Sequence, residues 1–556
     1  MRDKVVKLIA SATKLSEKKV EEILEVPKDF EMGDYAFPCF SLAKELKKNP
    51  AIISKEISEK IKPERDFEKI EAVGAYVNFF VNPIEFSKEV IKQIKFKGDL
   101  YGSGNQGKGK SVVVEFSSPN IAKPFGIGHL RSTIIGNSIA EISKFQGFKS
   151  IRINYMGDWG TQFGKLIVGY KMWGSEGKLK SDPIKHLLEL YVRVSQEGLE
   201  KESREWFRKL ESGDRDARRL WGKFRSISIK EFDKIYARLG VKFDVISGES
   251  DYNDNIEGVV GALEKKKLLK DSDGAKIVDL NELGLGVCLI KKSDGATLYA
   301  TRDLAAAIER YKKYKFHRMI YEVGSEQRLH FNQIFKVLEL MGNDWAKRCE
   351  HADHGLYLDS DGKKFATRKG KTVFMEDILD ETTMLAEKEI LKRDKSLSKK
   401  ELKNRAERIA ISAIFYGDLK NYRKNDIVFD LKRFVSFEGD TGPYLLYSYA
   451  RAKSILRKKK GISEDSLGYV PNKQEKALAL ILGKFPDVVN EAYNNLSPNV
   501  IANYSYDLSR AFNEFYHESQ VIGSPEEKFR LELVECFSQV LKNSLRLLGI
   551  NVLEKM

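Results

Sequence analysis

Apolar residues at the start of the chain recur with helical spacing, at Val5, Leu8, Ile9, Ala12 and Leu15. A second helical run covers FSLAKELKKN, and YVNFFV reads as a strand, so the first hundred residues predict an α+β domain. The Gly/Lys stretch KFKGDLYGSGNQGKGKS closes that domain as a linker. The pattern then changes. SVVVEF reads as a short buried strand, RSTIIGNSIAEISKF as an amphipathic helix, and SIRINYMGDWG as a second strand. Strand, glycine-rich turn, helix and strand make a βαβ unit, which predicts a parallel sheet with ligands at the carboxyl ends of its strands.

From about Trp173 to Leu280 the pattern is charged and helical, as in DARRLWGKFRSISIKEFDKIYARLG, and reads as an insertion. TLYATRDLAAAIERY and the strand RMIYEVG return to the α/β pattern. From SLSKKELKNRAERIAISAIFYGDLKNYRK onward nearly every segment has the helical period, with Ser398 and Glu401 spaced as a capping box. The expected organisation is an α+β domain at 1–100 and a Rossmann-type parallel-sheet α/β domain at 101–390, with its mostly helical insertion at about 173–280. A helical connector at 391–430 and an all-helical domain at 431–556 follow.

Composition narrows the function classes. A chain of 556 residues exceeds a single core, and 42% apolar with 11% aromatic residues is the mix of a folded protein. Cys39, Cys288, Cys349 and Cys536 lie far apart with no C-x-x-C pair, which argues against zinc ribbons and disulfide frameworks and fits a reducing cytosol. There is no run of eighteen apolar residues, and MRDKVVKLIASATK lacks a signal-peptide core, so no membrane association and a cytoplasmic location are expected. The net charge of +15 is that of a protein with a polyanionic partner, or of one that uses lysine to stay soluble; composition leaves both open.

The densest chemistry lies in SPNIAKPFGIGHLRST. Gly126 and Gly128 flank Ile127 between a strand and a helix, where glycine lets a flat ligand approach and the helix N-terminus offers free N–H groups to phosphate. His129, in the first helical turn, can add a donor. Alone, a Gly-x-Gly turn and one histidine carry no assignment.

Their surroundings do. EFSSPNIAKPFGIGHLRSTIIGNSIA followed by INYMGDWGTQFG closely resembles the catalytic region of arginyl-tRNA synthetases, class I enzymes with a His-x-Gly-His nucleotide motif. The resemblance runs on through LYATRDLAAAIERY, GSEQRLHF, GKKFATRKGKTV and DTGPYLLYSYARA to LGINVLEKM, nearly the whole chain in the family's order. It implies that L-arginine and ATP, with its accompanying Mg²⁺, form arginyl-adenylate, and that arginine then passes to the terminal ribose of tRNA(Arg). Activation is expected only with tRNA present. Such chemistry is in-line attack on the α-phosphate, so it rests on positioning and charge stabilisation.

The resemblance assigns roles residue by residue. His129 matches the second motif histidine, Gly128 the glycine over which adenine packs, and Lys123 an upstream phosphate-side lysine. Gly126 stands where the first histidine belongs. Loss of one preorganised donor costs roughly 3–4 kcal/mol, so either another group replaces it, Lys123 and Arg131 being near, or the enzyme is slow. The second nucleotide loop, KMSKS in much of class I, reads KFATRKGK here. Lys364 keeps the first lysine, Ala366 and Thr367 replace the serine and second lysine, and Arg368 adds charge.

For arginine itself, the resemblance sets Glu115 and Asp303 against the guanidinium with Tyr299 beside it, and Asn120 and Gln327 at the amino-acid end. A planar fork calls for carboxylates that accept paired N–H bonds. Tyr444, Tyr447 and Arg451 interleave rings with charge as anticodon-base contacts, and Asn78 and Phe80 are the expected contacts to the tRNA elbow. His351 and His354, in HADH, are expected to be structural, with no metal site in the protein. A monomer is expected. The rivals are a nucleotidylyltransferase-like enzyme, which needs no helical RNA-binding part, and a relative that binds tRNA without efficient activation.

Overall fold

A computed structural model describes every residue except 26, 28–31, 294–298, 366, 369–370 and 460–468, and at 367, 368, 371 and 372 the backbone alone. The chain divides into two compact units. Unit 1 is Met1–Tyr101, Ala452–Phe485 and Asp507–Val540; unit 2 is Gly102–Arg451, Pro486–Tyr506 and Leu541–Met556.

Unit 1 holds an antiparallel sheet of β1 (Tyr35–Pro38), β2 (Phe67–Val73) and β3 (Tyr76–Val81), in the order β1-β3-β2. The central strand is buried from Val77 to Val81, which is why YVNFFV reads as a continuous run rather than an alternation. Two of its helices start on Asn-Pro pairs: Asn49 and Asn82 accept backbone N–H groups while Pro50 and Pro83 take the first helical position.

Unit 2 is built on five parallel strands, β4 (Ser111–Glu115), β5 (Lys149–Met156), β6 (Val245–Gly248), β10 (Arg318–Tyr321) and β11 (Cys349–His351). Between β6 and β10 the chain forms a separate antiparallel sheet of β7 (Leu269–Ser272), β8 (Ala275–Asp279) and β9 (Val287–Lys291). The parallel order is β11-β10-β4-β5-β6, the doubly wound arrangement in which the chain leaves β4 one way and returns on its other side at β10. Ligands of such sheets bind at the carboxyl ends beside that reversal.

Helix α1 (Ile127–Phe145) follows β4. It is not amphipathic as expected but buried almost all round, between the sheet on one side and helix α5 (Lys399–Leu419) on another. Gly136 permits the approach: a Cβ there would lie 2.2 Å from Phe116. In the stretch read as a helical insertion, helices run from Glu176 to Leu239, the last being α2 (Arg215–Leu239), and VISG then forms β6, the edge strand of the parallel sheet. Four residues at a sheet edge carry too little apolar pattern to be seen beside long helices. Helices α3 (Tyr299–Tyr314) and α4 (Arg328–Leu340) flank β10. The C-terminal stretch is helical throughout its described elements, beginning with α6 (Gly442–Arg457).

Candidate active site

The path from β4 to α1 is strained. Ser117, Ser118 and Ala122 have φ of 74°, 46° and 58°, a region L-residues adopt at a cost. Hydrogen bonds hold it: the Ser117 N–H donates to Ser132 Oγ at 2.9 Å, the Ala122 N–H to Ser228 Oγ at 2.8 Å, and Thr133 Oγ1 to Ser117 Oγ at 2.8 Å. The result is a shaped turn at the carboxyl edge of the sheet, delivering Asn120, Lys123 and the glycines in sequence. Asn120 bridges to Gly157 beyond β5, and a Cβ at Gly157 would lie 2.1 Å from Asn120 Oδ1, so a larger residue there would displace the Asn120 side chain.

At the start of α1 the Gly126 N–H donates to His129 Nδ1 at 3.2 Å. That bond makes Nδ1 an acceptor, so the neutral ring carries its proton on Nε2. Burial, with the nearby Lys123 charge adding to it, holds the imidazole down to about 4. A Cβ at Gly128 would meet nothing within 4 Å, so a flat group can rest on that backbone. Gly126 is different from what a glycine usually signals. Its φ of −87° and ψ of 170° suit any residue, and a Cβ there would meet only the Val373 carbonyl, at 3.8 Å.

The two neighbours considered as substitutes for the absent donor separate. Arg131 is 1% exposed and turned inward, donating to the carbonyls of Asn425 at 2.7 Å and Arg423 at 3.1 Å, and pairing with Asp418 at 3.3 Å. It cannot reach a phosphate. Lys123 remains half-buried, its ammonium 5.8 Å from the Tyr191 ring.

Glu115 ends β4 and is 3% exposed, with the buried Arg310 guanidinium of α3 on its carboxylate. Burial raises that carboxyl to about 7, Arg310 opposing the rise and Asp303 adding to it. Asp303, the fifth residue of α3, meets His330 Nε2 at 2.7 Å; the ring of Tyr299, which starts α3, lies 4.7 Å from the His330 ring. Glu249, directly after β6, is raised to about 8 by burial and by the charge of Asp303. The structure therefore gathers Glu115, Asp303 and Tyr299 with three residues the sequence reading missed: Arg310, His330 and Glu249. Arg310 had a signal, standing seven places after Asp303 and so on the same helix face. His330 lies in the quoted GSEQRLHF block.

Gln327 is exposed in the short turn before α4, and its neighbour Glu326 pairs with Lys364 Nζ at 3.0 Å. Thr367–Arg368 and Lys371–Thr372 form a small antiparallel hairpin, but the side chains of Thr367 and Arg368 lie outside the described residues, as does Ala366 entirely. His351 Nε2 lies 3.0 Å from the Val323 carbonyl and His354 Nδ1 2.8 Å from Glu322. Among the described residues no group of three or more His, Cys, Asp or Glu side chains could hold a metal.

The expected RNA contacts fall in different places. Asn78 and Phe80 are buried in β3 of unit 1, with Lys69 Nζ 4.1 Å from the Phe80 ring; neither offers a surface in this conformation. On α6, Tyr447 is exposed, with Arg451 4.9 Å and Arg393 5.9 Å from its ring, and half-buried Tyr444 faces Tyr506 at 5.8 Å. Arg393 belongs to the basic run Lys392–Arg408, and its place beside Tyr447 was not legible in the sequence because it comes from a different helix.

Comparison with known proteins agrees along the whole chain. Residues 90–431 match the model of the class I (R) tRNA synthetase catalytic domain, 445–556 the DALR anticodon binding domain, and 1–81 the arginyl tRNA synthetase N-terminal domain. An arginine–tRNA ligase of Clostridium perfringens is 48% identical, with 99% of each chain covered, and one of Clostridium kluyveri 49% identical over 97% of this chain and 96% of that one. The arginyl-tRNA synthetase structure from Plasmodium falciparum superposes with a TM-score of 0.85 at 28% identity, covering 100% of this chain and 99% of that one. That from Thermus thermophilus gives 0.83 at 26% identity, covering 100% of both.

Proposed function

The chain belongs to the arginyl-tRNA synthetases of class I, and from that premise we propose how its own residues carry out the ligation of arginine to tRNA(Arg) with ATP. The arginine carboxylate attacks the α-phosphate, giving arginyl-adenylate and pyrophosphate. A ribose hydroxyl of tRNA then attacks the arginyl carbonyl, releasing AMP.

Adenine rests over the open backbone at Gly128. His129 donates from Nε2 to phosphate as a neutral group, and Lys123 supplies positive charge on the same side. Lys364 and Arg368 approach from the second nucleotide loop, with Thr367 beside the nucleotide. Charge that develops on the phosphate is met by donors already in position, which is the main lever in phosphoryl chemistry. Mg²⁺ arriving with ATP would supply positive charge to the phosphates, and no protein cage is proposed for it.

Arginine lies between the carboxyl end of β4 and the start of α3. Asp303 accepts from its guanidinium, Tyr299 covers it, and Asn120 and Gln327 hold the amino-acid end. Lysine would leave part of that fork unpaired. The gathering of Glu115, Asp303 and Tyr299 at the strand-order reversal is the observation that carries this reading.

Tyr444, Tyr447 and Arg451 take unstacked anticodon bases, and a contact by Asn78 or Phe80 requires β3 to open. The enzyme acts as a monomer in the cytoplasm, and activation needs tRNA. ATP–pyrophosphate exchange with arginine, run with and without tRNA(Arg), tests this. Exchange only with both arginine and tRNA supports it, and exchange with another amino acid would overturn the arginine site.

A further inference from the structure

Arg310 is a residue of the substrate's own kind, sealed at the base of the proposed arginine site. It is 2% exposed, and its guanidinium pairs with Glu115 while lying 4.9 Å from the Tyr155 ring and 5.9 Å from the Tyr321 ring. Tyr155 and Tyr321 stand on β5 and β10, either side of β4. The cation is thus clamped across three adjacent strands, at the sheet position where a ligand is expected. Nε and Nη2 of Arg310 and both tyrosine hydroxyls are buried without a hydrogen-bond partner among the described residues.

We propose that Arg310 is the positioning residue that sets the charge count of the arginine site, neutralising Glu115 so that Asp303 alone presents an unbalanced carboxylate to a singly charged substrate. This rests on the reading of Glu115 and Asp303 as arginine-site groups. Asp303 lies seven residues before Arg310 on one face of α3, so a single helix places the site's open anion and its internal cation. The groups around Glu115 are Arg310 and Asp303 from α3 and His330 from α4. Those around Arg310 are Glu115, Tyr155, Tyr321, Tyr252 from the segment after β6, and Cys349 of β11. Arg310 is the one permanent cation in that described set. Without it, Glu115 and Asp303 would share a buried site with Glu249 close to Asp303 and His330 as the one nearby base among these groups, and one carboxylate would take up a proton.

The consequence is a pH signature that loss of packing alone does not produce. In Arg310→Met, Glu115 takes up a proton in mild acid, which leaves Asp303 alone as in the parent, and ionises on the alkaline side, which adds a second unbalanced carboxylate and tightens arginine binding. Exchange assays with saturating tRNA and ATP, from pH 6 to 9, should show KM for arginine near the parent's at the acid end and about tenfold or more below it at the alkaline end. The difference should widen with pH, with kcat within about threefold. Arg310→Lys, which keeps the charge, should follow the parent, and Glu115→Gln/Arg310→Met should lose the pH-dependent difference from the parent because Glu115 no longer titrates.

An Arg310→Met enzyme whose KM tracks the parent at every pH, or whose kcat falls while KM stays fixed, overturns the proposal. If that variant does not accumulate, Arg310→Lys decides, and a KM that departs from the parent's by about tenfold or more at every pH overturns it equally. Asp303→Asn separates the two levels. No change in arginine KM in Asp303→Asn sinks the underlying site reading, whereas a large rise there with a flat Arg310 profile sinks only this inference.

Discussion

The Gly126 N–H donates to Nδ1 of His129 across one helical turn, at 3.2 Å. The turn therefore chooses the tautomer, and burial keeps the ring neutral down to about pH 4. His129→Gln should lower the exchange rate by roughly 10²–10³ with little change in ATP affinity, as for loss of one donor to the transition state. The unfolded chain binds this proton near its ordinary value of 6.5 and the folded chain only near 4. The residue's stabilisation is thus fully present above 6.5 and is lost as pH falls toward 4. Thermal melts at pH 7 and 5 should differ less for His129→Gln than for the parent.

Gly126→His places a side chain where the backbone accepts one and where the nearest obstacle is a carbonyl 3.8 Å from Cβ. Stability should stay within about 0.5 kcal/mol of the parent. If Lys123 or another group already supplies the missing donor, aminoacylation changes by less than about tenfold. A rise near two orders of magnitude would mean that the donor is simply absent.

Asp303→Asn keeps the shape of the carboxylate but removes its charge and one of its acceptors. The hydrogen bond from a cationic group to a carboxylate contributes about 1.5–3 kcal/mol. KM for arginine should therefore rise roughly 10- to 100-fold while KM for ATP stays put. Equal losses in both would point to a distorted α3 instead.

Arg131→Met tests stability rather than chemistry. Removing the guanidinium strands the carbonyls of Asn425 and Arg423 and leaves Asp418 buried, with Tyr357 as its remaining donor. Breaking a buried ion pair from one side costs about 3–5 kcal/mol. A clear drop in Tm is expected, and a Tm within a degree of the parent's would show that the network relaxes freely.

Tyr447→Ala removes an exposed ring flanked by Arg393 and Arg451. A base stacked on it contributes about 1–3 kcal/mol, so KM for tRNA should rise roughly 5- to 150-fold with arginine and ATP constants unchanged. Filter binding at two salt concentrations would separate lost stacking from lost charge.

Sequence patterns revealed the parts of this architecture that repeat a strong local rule. SVVVEF is buried on both faces and reads so; Asp303 and Tyr299 were identifiable because their motif is long. What escaped was set by partners distant in the chain. Glu115 looked like a free substrate carboxylate, and only the fold brings Arg310 onto it. Arg131 looked like a phosphate-side cation because it stands two places from His129, yet on a helix that step turns the side chain well away, here into the interior. Asn78 and Phe80 stand out as elbow contacts only through the resemblance of AVGAYVNFFV; burial in a sheet explains the phenylalanine equally well, and both lie buried in β3.

The bare backbone at Gly126 has a further use. An imidazole at this point, as in the His-x-Gly-His motif, would fill space that here stays open, the nearest atom to a Cβ being the Val373 carbonyl at 3.8 Å. On the proposed nucleotide site, a mimic extended toward that space is expected to bind the parent better than the Gly126→His variant. A single missing side chain thus becomes a handle for selective inhibition.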